Sequence, residues 1–91
     1  MTDTSQHPVV KHNPTRNRFE IDLKGQSAIL EYERDGRTIT FTHTKVPPEF
    51  EGLGFGTKLV EAGLAWARQE SAEIVPRCPF VAAFIQRKAG G

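Results

Sequence analysis

The chain has 91 residues, a length that suits one small domain, and its 37% hydrophobic content is enough for one core and no second one. Twelve Lys and Arg against eleven Asp and Glu leave a net charge of +1, which provides no overall field for nucleic acid or an anionic membrane. A single cysteine excludes an internal disulfide framework and a multi-cysteine metal site, so no metal is expected. No stretch approaches the ~20 apolar residues of a membrane span, and no apolar core of a secretory signal follows Met1. The expectation is a single-domain, cytoplasmic protein, monomeric or weakly dimeric.

Residues 1–17 are polar, with two prolines and one apolar pair, Val9 and Val10. So little apolar surface predicts a flexible arm, with His7 and His12 as solvent-exposed residues rather than metal ligands. From Phe19 the pattern has period two. Phe19, Ile21 and Leu23 alternate with charged residues, Ala28, Leu30 and Tyr32 do the same, and turns are expected at Lys24-Gly25 and Asp35-Gly36. In a third strand Ile39, Phe41 and His43 take one face and Thr38, Thr40, Thr42 and Thr44 the other, until Val46-Pro47-Pro48 ends the ladder. These three strands form an antiparallel meander.

The period then lengthens to 3.6. Leu59, Val60, Gly63, Leu64 and Ala67 give residues 57–70 a wide apolar helical stripe, with Trp66 as packing. Residues 72–75 form a short strand ended by Pro76, and Pro79 opens a last helix whose Phe80, Phe84 and Ile85 stripe is assigned to the core, with cofactor contact as the alternative. A helix between the third and fourth strands predicts a parallel crossover, and so a mixed α/β sheet.

Between strand and helix lies Glu51-Gly52-Leu53-Gly54-Phe55-Gly56-Thr57. Three glycines beside a helix N-terminus let backbone N–H groups converge on an anion such as a pyrophosphate. The spacing fits neither a Walker loop nor a Rossmann fingerprint. A loop that merely needs tight turns remains the alternative.

With His43-Thr44-Lys45-Val46-Pro47 before this loop and Pro76-Arg77-Cys78-Pro79-Phe80-Val81 after it, residues 19–88 resemble the minimal, single-domain members of the GNAT superfamily of acetyl-CoA-dependent N-acetyltransferases. The resemblance implies a GNAT-like domain over residues 18–91, with a mostly antiparallel sheet, a glycine-loop crossover and a C-terminal helix. It implies acetyl-CoA as cosubstrate, with pyrophosphate on Gly52, Leu53, Gly54, Phe55, Gly56 and Thr57 and pantetheine beside the strand ending at Val46. An amine, on a small molecule or a protein, would be the acceptor.

The sequence departs from the superfamily at three points. Glu51 stands where the motif has Gln or Arg, and Phe84 is the nearest residue to a tyrosine that protonates departing CoA in many members. The sequence also ends at Gly90-Gly91, where members of the minimal subgroup often continue. Cys78, before Pro79 and beside Arg77, is the candidate nucleophile or acid, with a buried packing role as the alternative. His43 is the candidate base for the amine, or else a packed histidine. Arg87 and Lys88 are candidates for a 3′-phosphate, or a solvated helix end. Three functions follow: an N-acetyltransferase, a CoA-binding module with little or no transfer, or an interaction domain with a purely structural glycine loop.

Overall fold

The computed structural model describes residues 9–90. Five strands form one mixed sheet: β1 (Lys11–Asn13), β2 (Arg18–Leu23), β3 (Gln26–Asp35), β4 (Thr38–Lys45) and β5 (Glu73–Pro76), neighbours in that order. β1 to β4 pair antiparallel, and β5 lies parallel to β4 after the crossover through α1 (Phe55–Gln69). A last helix, α2 (Pro79–Gly90), follows β5 directly. The meander, the crossover and the mixed sheet are as the alternation and its change of period predict.

One face of the sheet carries the core. Phe19, Ile21, Ala28, Leu30, Tyr32, Ile39 and Phe41 are buried there against Leu59, Val60, Leu64 and Ala67 of α1 and Val81 and Phe84 of α2. Gly63 makes this approach possible, because a Cβ on it would stand 2.9 Å from Leu30 Cδ2 and 3.0 Å from Phe41 Cε1. The β2–β3 turn is built by Lys24 at φ 53° and Gly25 at φ 77°, as a two-residue hairpin demands. The next turn falls one residue later than the sequence suggests: Asp35 pairs with Thr38, so Gly36 (φ 60°) and Arg37 are its central residues.

Two local features differ from the sequence reading. The supposed arm is structured from Lys11, because His12 pairs with Phe19 at the edge of the sheet and enters a cluster of rings. Its imidazole stacks on Phe19 at a centroid distance of 4.2 Å and lies 4.5 Å from Trp66, and its Nε2 is hydrogen-bonded to the Tyr32 hydroxyl at 2.6 Å. His12 is therefore a half-buried packing residue, not solvent-exposed. Residues 1–8, with His7, lie outside the described part.

The second difference is a β-bulge. Tyr32 pairs with Phe41 but Glu31 pairs with His43, so Thr42 is an extra residue in β4, its hydroxyl donating to the Glu31 carbonyl at 3.4 Å. One extra residue inverts the alternation. Thr44, opposite buried Leu30, now follows Phe41 on the core face, whereas His43, opposite Glu31, does not. The sequence placement of these two residues is thereby reversed.

Candidate active site

Parallel pairing of β5 with β4 runs only from Thr38 to Phe41, and a bond from the Cys78 N–H to the Phe41 carbonyl (2.9 Å) closes it. Beyond the bulge the last residues of β4 face a gap instead of a strand. Two adjoining clefts occupy this region. One, of about 520 Å³, is lined by His43, Thr44, Lys45, Val46, Glu51, Gly56 and Phe80. The other, of about 400 Å³, shares Val46, Glu51, Gly56 and Phe80 with it and extends over Phe50, Gly52, Gly54, Phe55 and Thr57. The glycine loop and the strand end at Val46 thus meet at one site.

The loop is shaped by its backbone. Pro48–Phe50 form a single 3₁₀ turn that buries Phe50, and Gly52 (φ 84°) and Gly54 (φ 81°) then adopt the left-handed conformation that glycine allows at little cost. A Cβ on either would meet nothing within 4 Å, so both face open space. Gly54 is the N-cap of α1, no side chain caps that end, and the first turn holds no acidic residue. Its orphan N–H groups are left for an anion. Gly56 serves differently. It has no positive φ, lies inside α1, and its missing Cβ makes room for the Phe80 ring, whose Cζ would be 2.9 Å from that atom.

Cys78 sits where β5 gives way to α2, immediately before Pro79. Its Sγ is 3.2 Å from Thr44 Oγ1, a contact made possible by the bulge. Burial pushes its thiol up. Hydrogen bonds from the Thr44 hydroxyl and from the backbone N–H groups of Val81, Phe80 and Thr44 outweigh that and hold its pKa below the ordinary value. Physically, the sulfur caps α2, and the helix-end N–H groups favour its thiolate form. Only 4% of Cys78 is exposed, so Thr44 stands between it and the cleft.

The remaining candidates divide. His43 is exposed at the rim of the larger cleft, on the other side of the strand from the inward-facing Thr44, and is not brought to Cys78. Phe84 is buried and lines a different groove with Glu61, Leu64, Arg68 and Lys88, whose ammonium lies 5.7 Å from the Phe84 centroid. It is Phe80, assigned to the core from the sequence, that is 39% exposed and lines both clefts. Lys88 stands away from the clefts, and Lys45 lines the larger one. Thr44, Phe80 and Lys45 are thus site-lining residues that sequence reasoning missed. Alternation put Thr44 on the wrong face, and helical spacing put Phe80 in the core stripe.

Residues 18–90 match the family model of the GCN5-related N-acetyltransferases. This chain belongs to that family. Protein NATD1 of Xenopus tropicalis is 29% identical to it over 87 residues, 92% of this chain and 80% of the relative. Protein NATD1 of Bos taurus is 30% identical over 80 residues, covering 85% and 71% of the two chains. The human protein of that name is 29% identical over the same coverage. Among the described residues no group of three or more His, Cys, Asp or Glu is placed to hold a metal ion, and no helix is long and apolar enough to cross a membrane.

Proposed function

We propose that this protein binds acetyl-CoA in the joined clefts and transfers the acetyl group to an amine by way of Cys78. The observation that carries this reading is a hydrogen-bonded sulfur at the start of α2, buried behind Thr44, which lines a cleft adjoining the one at the N-terminus of α1. Family membership supports an activated acetyl thioester as the cosubstrate. The chain's own groups suit it: the backbone N–H groups at Gly54–Thr57 suit a pyrophosphate, and the strand end at Val46 suits an extended arm.

The chemistry falls to Cys78. Its thiolate attacks the thioester carbonyl carbon, a C–S bond forms on Cys78, and CoA leaves as its thiolate. An amine then attacks the acetylated cysteine, the C–N bond forms, Cys78 departs as thiolate, and the amine proton passes to solvent. A depressed thiol pKa suits both attack and departure. The other role considered for Cys78, donation of a proton to CoA, uses the neutral thiol and leaves no acetyl adduct.

Incubation with acetyl-CoA should yield a protein heavier by one acetyl group, mapped to Cys78 by peptide mass spectrometry and absent in Cys78→Ala. Cys78→Ala should retain CoA affinity while losing transfer to an amine. Transfer at the wild-type rate by Cys78→Ala would exclude the covalent route. A second reading, a CoA-binding module without transfer, is favoured by the near-complete burial of Cys78 and by Phe80 standing in the cleft without a hydroxyl. CoA binding with neither acetyl adduct nor amine turnover would select that reading.

A further inference from the structure

Phe80 occupies an unusual position for a large apolar side chain. Its neighbours on α2, Val81 and Phe84, are 0% and 6% exposed, whereas Phe80 is 39% exposed. Its ring lies across the point where the two clefts adjoin, with Val46, Glu51 and Gly56 as the other shared residues. The ring is seated back against α1 only because Gly56 has no Cβ; a methyl there would come within 2.9 Å of Cζ and 3.1 Å of Cε2. Phe80 follows Cys78 and Pro79 in sequence, at the start of α2. Gly56 is thus fitted to Phe80, and both belong to the waist where the two clefts meet.

We infer that Phe80 is a specificity-determining residue that limits the acyl thioesters this site accepts to short ones, and that residue 56 is glycine to hold the ring at that setting. The inference rests on the acetyl-CoA reading above. An acetyl group beside Cys78 adds two carbons, which the waist admits, whereas a longer chain must displace the ring. Truncating the ring opens the waist, and adding a Cβ at residue 56 pushes the ring into the cleft. The two changes should therefore act in opposite directions on chain-length preference.

The experiment measures dissociation constants of acetyl-CoA, hexanoyl-CoA and adenosine 3′,5′-bisphosphate, which lacks the arm, for wild type, Phe80→Ala, Phe80→Leu and Gly56→Ala. Wild type should prefer acetyl-CoA over hexanoyl-CoA. Phe80→Ala should reduce that preference by about tenfold, the scale of one aromatic contact, with Phe80→Leu intermediate. Gly56→Ala should sharpen the preference or weaken both thioesters, and Gly56→Ala combined with Phe80→Ala should lose that effect because no ring remains to be displaced. Binding of the bisphosphate should change by the same factor as, or less than, that of acetyl-CoA in Phe80→Ala, so that the change in the acetyl-to-hexanoyl ratio, not loss of affinity, reads the role at the waist. An unchanged preference in both Phe80 variants, or none in wild type, overturns the inference while leaving acetyl-CoA binding intact. Failure of wild type to bind any CoA thioester overturns the reading beneath it. Should Gly56→Ala not fold, the two Phe80 variants decide alone, because that side chain lies largely outside the core.

Discussion

At Cys78 two opposing effects meet, and hydrogen bonding wins. Removal of the Thr44 hydroxyl should shift the balance back towards burial, so the thiolate of Thr44→Val should appear at higher pH than that of wild type. Ultraviolet absorbance of the thiolate through a pH titration measures this without requiring access to the buried sulfur. A Cys78 titration midpoint that Thr44→Val leaves in place would deny the hydroxyl its role. Cys78 adds stability above its unfolded pKa, and that contribution is lost as pH falls through the folded value.

Glu51 is the residue that sits least well with an anionic guest, since it lines both clefts where the superfamily motif has Gln or Arg. A carboxylate a few ångströms from a phosphate in a solvated cleft costs about 1 kcal/mol. Glu51→Gln should therefore tighten CoA binding about fivefold at low salt, with the gain shrinking as salt screens it. Isothermal titration at two ionic strengths tests this, and weaker binding by the variant would mean that Glu51 holds part of the ligand.

Among the elements, β1 and β4 show where sequence reading stops. The alternation in β2 and β3 and the 3.6 period of α1 were legible because each has one buried face against one solvated face. β1 has no such pattern. Lys11-His12-Asn13 is polar throughout, and its place in the fold depends on ring contacts to Phe19, Tyr32 and Trp66 that are distant in sequence. The bulge at Thr42 was illegible for another reason. A run of alternating threonines looks the same with or without an extra residue, and only the pairing with β3 reveals it. That single residue decides which side chain reaches Cys78.

His12 gives the β1 contact a pH dependence. Burial lowers its pKa, with Glu70 acting in the opposite direction. A histidine with a depressed folded pKa adds stability above its unfolded value, and that stability is lost as pH falls through the folded value. The melting temperature of wild type should therefore fall between about pH 7 and about pH 5, above the range in which ordinary carboxylates titrate. In His12→Gln that fall should be smaller. Equal falls in the two proteins would remove His12 from the account. In α1, Gly63→Ala should destabilise by about 1 kcal/mol in urea, because overpacking against Leu30 and Phe41, both fully buried, exceeds the gain in helix propensity.

On the scale of the whole molecule, the fold places one chemical site at the gap where β4 and β5 stop pairing. The N-terminus of α1 borders one of the joined clefts and Thr44, in contact with buried Cys78, lines the other, so the glycine turn, the bulge and the start of α2 each supply one part. The order of the elements and the glycine loop were legible in the sequence. The gap itself was not, because it depends on where the pairing of β4 with β5 stops. The α1–α2 groove of Glu61, Leu64, Arg68, Phe84 and Lys88 lies apart from these clefts and provides an internal control.

The most direct test is a titration of the ¹⁵N-labelled protein with CoA, followed by backbone amide shifts. Shifts are expected at Gly52, Gly54 and Phe55–Thr57 and along Thr44–Val46, with little change at Arg68 and Lys88. Saturation at one hundred times the dissociation constant should also add about 2.7 kcal/mol of stability. No shifts at millimolar CoA, or shifts confined to the α1–α2 groove, would contradict it.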